Sequence, residues 1–257
     1  QQQFAVFRAS AFAGFVRVFV QALGTQAADW KPMVYALAVL TLLVGSVFAV
    51  SQTNVKRMLA YSSISHAGFI LIGIQAATQV GVQAVAFYLA TYTFTVAGSF
   101  GVVSVIGRRG DNAHDLEDYR GLHRRAPLLA FAFLIFLLAQ AGVPLTSGFF
   151  AKFYVLEAAV QAHSYWLALV AMLSSVISAF VYLRIVLTMY GEEPVEGAPT
   201  YRTPAPARLA IVVAVLATIG FGVLPGPLLD AAGTAVRTIA PPASSTTAGT
   251  GTSASGN

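Results

Sequence analysis

The chain has 257 residues, of which 57% are hydrophobic and only 10% charged, with 15 Lys and Arg against 10 Asp and Glu for a formal net charge of +5. That balance excludes an ordinary soluble domain and places the chain among polytopic membrane proteins. The basic residues lie between apolar runs rather than in one stripe, which argues against nucleic-acid binding. The lack of cysteine excludes disulfides, thiolate metal sites and iron–sulfur ligation.

The sequence opens Gln1-Gln2-Gln3 and runs directly into an apolar segment, with no basic leader and no signal peptide in view. It reads as a piece of a larger protein whose N-terminal part is missing. A helix that crosses the hydrocarbon needs about 20 apolar residues. Seven segments qualify: 4–23, 33–50, 58–77, 82–106, 127–160, 166–190 and 207–224. None alternates with period two, which disfavours a β-barrel. The expected fold is an all-α transmembrane bundle of about seven helices over residues 1–230. Residues 231–257, which end in a Ser/Thr/Gly/Ala-rich stretch, are expected to form a disordered tail.

Charge between the segments sets an orientation. Lys56 and Arg57 follow the second segment. Arg108, Arg109, Arg120, Arg124 and Arg125 follow the fourth, and Arg184, Arg202 and Arg208 are assigned to the loop after the sixth. The opposite side has only Lys31 and Arg237. The positive-inside rule makes the first set cytoplasmic and puts the C-terminal tail outside.

The fifth segment is interrupted near its middle by Gly142-Val143-Pro144-Leu145-Thr146-Ser147-Gly148, and Lys152 follows the break. A charge at membrane depth costs roughly 2.5–3.5 kcal/mol on insertion scales. Unwound backbone survives there only inside protein or against a wet cavity. Together these features point to an ion path in which the Lys152 amine passes a proton to water held at the break. The competing reading is a lysine that snorkels to the interface or pairs with Glu157.

In the third segment, Ser62 and His66 are four residues apart and share a helix face. Imidazole and hydroxyl can each donate and accept, as a proton relay requires. A packing cluster of small polar residues fits equally well. Lys56 precedes His66 by about 15 Å along a helix. It is either the cytoplasmic mouth of a path or a positive-inside anchor. Gln140 could bond water at the break or a neighbouring helix. Arg8 and Arg17 point to opposite faces of the first segment. Arginine stays charged, so neither passes a proton by titrating. His114 and His123 lie among Asp111, Asp115, Glu117 and Asp118 without a metal-ligand spacing, and a solvated mixed-charge loop is expected. No phosphate loop, dinucleotide fingerprint or nucleophile motif appears. Cofactor chemistry is therefore expected in partner chains.

Two long motifs resemble a known family. Gln52-Thr53-Asn54-Val55-Lys56-Arg57-Met58-Leu59-Ala60-Tyr61-Ser62-Ser63-Ile64-Ser65-His66-Ala67-Gly68-Phe69 is similar to a signature of the antiporter-like subunits of respiratory complex I. Gly142-Val143-Pro144-Leu145-Thr146-Ser147-Gly148-Phe149-Phe150-Ala151-Lys152-Phe153-Tyr154 resembles the broken twelfth helix of that family, with the lysine that marks subunit N. Tyr119-Arg120-Gly121-Leu122 and Leu224-Pro225-Gly226-Pro227-Leu228 also look like subunit N. The resemblance implies the last seven of fourteen helices and a role in proton translocation. Electron transfer from NADH to quinone, through flavin and iron–sulfur clusters, would occur in partner subunits. It implies Lys152 as the broken-helix lysine and Lys56 and His66 as the polar pair of the tenth helix. Arg8 stands where the family has a central lysine. The partners implied are the lipid bilayer and other membrane subunits of complex I, in the cell inner (plasma) membrane. A multisubunit cation/proton antiporter shares the motifs and is the alternative, with a purely structural membrane subunit as the third reading.

Overall fold

The computed structural model describes residues 14, 17–107, 114–194, 201 and 203–239. The first expected segment, residues 4–23, lies largely outside them, as does Arg8. Its described end is a π-helical turn, Arg17–Ala22, followed by a 3-10 turn, Gly24–Gln26. The other expected segments appear as helices: α1 (Ala27–Val50), α2 (Val55–Ala76), α3 (Gln79–Ile106), α4 (Pro127–Ala141), α5 (Ser147–Gln161), α6 (Tyr165–Gly191) and α7 (Ala205–Val223). Among the described residues, α1, α2, α3, α6 and α7 are each long and apolar enough to cross a membrane. The shorter α4 and α5 together make up the broken segment.

The helix boundaries follow local chemistry. The Asn54 side chain accepts from Arg57 N at 3.2 Å and caps α2, and Thr78 Oγ1 accepts from Gly81 N at 3.0 Å and caps α3. Pro127 opens α4, where its missing N–H costs nothing. The end of α4 is a Schellman turn. Gly142 takes φ +90°, its N–H reaches the Ala139 carbonyl at 3.0 Å, and Val143 N–H reaches the Leu138 carbonyl at 3.0 Å. Pro144 then prevents the helix from resuming at once. The chain re-enters helix at Ser147. Gly148 lies so close to α4 that a Cβ there would sit 1.8 Å from the Ala139 carbonyl oxygen.

Two buried clusters hold the bundle. One joins Leu42, Phe69, Phe87, Tyr88 and Val155, and the other joins Met58, Phe133, Phe136, Tyr182 and Ile185. Between membrane helices the gain comes from close van der Waals packing rather than from removal from water, since lipid tails are as apolar as these side chains. Large apolar residues cover the periphery, among them Leu128, Trp166, Met172, Val176 and Leu187, as a lipid-facing surface requires.

The basic connections meet at one end of the bundle. Leu116 N donates to the Thr53 carbonyl at 2.9 Å, and Asn54 Nδ2 donates to Asp115 Oδ1 at 3.1 Å. Arg120 pairs with Glu192 at 2.6 Å, and Arg124 pairs with Glu193. Three expectations are corrected. Arg184 does not lie in a loop but within α6, where its guanidinium donates to the Val50 and Gln52 carbonyls at 3.3 Å and satisfies the end of α1. The described part of the connection between α3 and α4 is not merely solvated. His114, Tyr119 and Leu122 are buried in it, and His123 Nδ1 bonds the Met189 carbonyl at 2.8 Å. The tail boundary at residue 230 also fails, because a further helix, α8 (Gly226–Ile239), runs through it. Leu228, Leu229, Ala232 and Val236 give this helix an apolar stripe that packs beside α3, and Gln83 Nε2 donates to the Leu229 carbonyl at 2.9 Å. Residues 240–257 lie outside the described residues.

Candidate functional site

The break between α4 and α5 builds a cradle for one amine. A helix leaves its last carbonyls unpaired, and its C-terminus carries partial negative charge. Lys152 Nζ, one turn into α5, donates to the Gln140 and Ala141 carbonyls, each at 2.9 Å. Its third bond goes to Ser175 Oγ on α6 at 2.8 Å. The Phe69 ring lies 5.2 Å from Nζ and presents its negative face. Lys152 is only 7% exposed, so it does not snorkel. None of these partners is acidic. Glu157 instead accepts from Gln161 Nε2 at 3.1 Å. A buried charge without a counter-ion is tolerated only when its hydrogen bonds are made, and here all three are.

His66 sits on α2, 6% exposed, in a chain of hydroxyls. Its Nδ1 lies 2.6 Å from Tyr88 OH on α3, and its Nε2 lies 3.2 Å from Tyr182 OH on α6. Tyr182 OH also bonds Ser62 Oγ, so Ser62 and His66 share one partner. A neutral imidazole donates from one nitrogen and accepts at the other, and each phenol can do either. The series Ser62–Tyr182–His66–Tyr88 can therefore run in two opposite hydrogen-bond directions, as a relay requires. Phe69 is near both centres, with its ring centroid 6.5 Å from that of His66 and 5.2 Å from Lys152 Nζ.

A small cavity, with about 10 Å³ of water-accessible volume, lies beside His66 and reaches Gln140 and Ala151 at the break. That is room for one water. Thr91, Thr95 and Ser99 line up on α3 at spacing four, each hydroxyl donating to the carbonyl one turn back. Gln140 Nε2 donates to Ser99 Oγ at 2.8 Å, so this side chain joins helices.

Lys56 is half-buried in the first turn of α2, ten residues before His66 and on the end where the basic connections meet. The structure thus brings both Lys152 and His66 close to Phe69 and leaves Lys56 at the rim. The described part of the first segment adds nothing on Arg8. Sequence reasoning missed Ser175, Tyr182 and Tyr88. For the tyrosines a signal was there, since Ser174, Ser178 and Tyr182 recur at spacing four inside an apolar run and so do Tyr88 and Tyr92, but Ser175 falls outside that spacing. Outside the membrane segments, burial pushes the Tyr119 phenol well above its usual range, helped by Tyr201 and Asp118. Among the described residues, no three His, Asp or Glu side chains gather to hold a metal.

Comparisons agree with this architecture. A family model described as NADH:quinone oxidoreductase/Mrp antiporter, TM, matches residues 4–178. NADH-quinone oxidoreductase subunit N 1 of Solibacter usitatus is 42% identical over 87% of this chain and 46% of its own length. Subunit N of Thermobifida fusca is 47% identical over 86% of this chain and 41% of its own. The chain thus spans a little under half the length of these relatives. Among solved structures, a chain of respiratory complex I from Thermus thermophilus with bound NADH superposes with TM-score 0.74 at 30% identity, covering 87% of this chain and 49% of that one. A chain of the Mrp complex from Dietzia sp. DQ12-45-1b gives TM-score 0.81 at 22% identity over 90% and 51%, a likeness of fold. The match over residues 4–178 and the agreement in fold establish that the chain belongs to the NADH:quinone oxidoreductase/Mrp antiporter family of membrane subunits.

Proposed function

We propose that this chain forms part of the proton-translocating machinery of an NADH:quinone oxidoreductase, in the manner of subunit N. The observation that carries the proposal is the Lys152 amine, buried at a helix break, held by two carbonyls and one hydroxyl, and without a carboxylate partner among the described residues. Such an amine is fully bonded when charged. Its charge can also leave without stranding a buried counter-ion, whereas a buried ion pair would lock it in place. His66, Tyr88, Tyr182 and Ser62 form a hydrogen-bonded series that can reverse direction, and the cavity beside His66 and Gln140 has room for one water. Lys56 would open the path on the cytoplasmic end. Arg8 would supply a fixed positive charge in the first segment.

Electron transfer would take place in partner subunits that carry NADH, flavin, iron–sulfur clusters and quinone, so the chain is an enzyme component rather than a catalyst alone. Its other partners would be neighbouring membrane subunits and lipid. The distribution of basic residues supports the cell inner (plasma) membrane, with the C-terminal end on the outer side. Proton uptake by the assembled complex carrying Lys152→Ala tests the role: pumping should be lost while the complex still assembles. Since the family description also covers Mrp antiporters, a cation/proton antiporter subunit without redox coupling is the second reading. Co-purification with flavin and iron–sulfur subunits separates the two.

A further inference from the structure

We infer that Ser175 is a positioning residue that lets the Lys152 amine change protonation state without leaving a buried polar group unpaired. The inference rests on reading Lys152 as a proton carrier. An ammonium has three donors and no acceptor. All three are used, on the Gln140 carbonyl, the Ala141 carbonyl and Ser175 Oγ. A neutral amine has two donors and one lone pair. The two carbonyls can keep the donors, but a carbonyl cannot donate to the lone pair. Phe69, whose ring lies 5.2 Å from Nζ, offers only its negative face. Among the described groups hydrogen-bonded to Nζ, the Ser175 hydroxyl alone can both accept and donate.

Rotation of one hydroxyl hydrogen therefore serves both states. Facing the ammonium, Ser175 accepts, and its own proton is free for the carbonyl one turn back, the usual partner of a helical serine. Facing the neutral amine, it donates to the lone pair. The lost proton passes to water, and Ser175 neither gains nor loses one. No backbone movement is needed, which suits a site clamped by the Schellman turn at Gly142. The adjacent Ser174 cannot substitute. Its hydroxyl bonds Ser65 Oγ at 3.0 Å and the Leu42 carbonyl at 3.1 Å, on the α1–α2 side of α6. The same helix carries Tyr182 to His66, so α6 supplies the adaptable hydroxyl at both centres.

The test compares Ser175→Thr, Ser175→Val and Ser175→Ala in the whole subunit within the assembled complex. Proton uptake per electron transferred is read in sealed vesicles, and assembly is read from the amount of complex. Thr and Val have nearly the same shape, so a packing defect would affect both. Thr should pump like wild type. Val and Ala should lose about tenfold, the scale of one hydrogen bond to a charged group. Equal pumping by Val and Thr, whether preserved or lost, would overturn the inference. If Val does not assemble, Ala against Thr makes the same comparison. Lys152→Ala is measured alongside. If it pumps normally, the proposed function falls and this inference with it. If it fails while Val matches Thr, only the role of Ser175 falls.

Discussion

The carbonyl of Gln140, the penultimate residue of α4, accepts a 2.9 Å hydrogen bond from Lys152 Nζ in α5. The break in the membrane segment and the charge beside it are thus one feature. The unwound turn exposes the carbonyls that the amine needs, and the amine satisfies carbonyls that hydrocarbon could not.

Lysine can release a proton and arginine cannot. Lys152→Arg should keep the charge and the assembly but abolish most proton translocation, a loss well over about tenfold, because a guanidinium does not release its proton. Lys152→Ala should do similar damage. Vesicle acidification driven by NADH, normalised to the amount of complex, reads both. An arginine variant that pumps like wild type would show Lys152 to be only a fixed charge.

Gly142 should tolerate no side chain. At φ +90° a Cβ is strained, and it would sit 3.1 Å from Lys152 Cδ. Left-handed backbone costs an L-residue about 1–2 kcal/mol. Gly142→Ala should lower the thermal stability of the subunit in detergent and reduce pumping by displacing the amine. Unchanged melting and pumping would contradict the strain argument.

His66 should tune transport rather than enable it. Its removal leaves Tyr88, Tyr182 and a cavity able to hold water, and bridging water is nearly as good as a direct hydrogen bond. His66→Ala should therefore lower pumping only a few-fold. Tyr182→Phe, which removes the hydroxyl shared by Ser62 and His66, should do at least as much. Complete loss in His66→Ala with normal assembly would rank the imidazole higher.

Tyr119 offers a pH test away from the membrane path. Burial raises its phenol above the unfolded value. The folded state therefore keeps its proton after the unfolded chain has begun to lose it. The stabilisation is fully present below the ordinary tyrosine range, about pH 10, and is lost as pH rises above it. Among the described residues the buried hydroxyl has no hydrogen-bond partner, so Tyr119→Phe should be neutral or slightly stabilising at pH 7. The variant should also lose less stability than wild type above pH 10, as read by melting across an alkaline series. A variant that melts lower at pH 7 would mean that the hydroxyl makes a bond.

The fold was legible where the apolar runs were long. α1, α2, α3, α6 and α7 follow from length and hydropathy alone, and the Gly-Val-Pro break announces the divided fifth segment. Legibility ended where a residue's meaning depends on a neighbouring helix. Nothing near Lys152 in sequence points to Ser175, 23 residues on, and nothing near His66 points to Tyr182, 116 residues on. α8 was overlooked because Gly, Thr and Ala dilute its apolar stripe, which gains meaning only against α3. Arg184 was misplaced because an arginine near a helix end reads as loop charge until the carbonyls of another helix are seen to need it.

The remaining prediction concerns orientation. The connections bearing Lys56, Arg57, Arg120, Arg124 and Arg125 meet at one end of the bundle, tied together by Leu116 N to the Thr53 carbonyl and by the Arg120–Glu192 pair. The opposite end carries α8, bonded to α3 through Gln83. Basic residues remain on the cytoplasmic side during insertion, so the first end should face the cytoplasm and α8 the outside. The chain has no cysteine, and single cysteines can therefore be read without background. Glu117 and Asp230 are both exposed, one at each end. A membrane-impermeant maleimide should label Glu117→Cys only in inverted vesicles and Asp230→Cys only in intact cells or spheroplasts. The reverse pattern would invert the topology and put Lys56 at the outer mouth. Labelling of both from one side would mean that the number of crossings between them is even, and that the broken α4–α5 segment does not cross as one span.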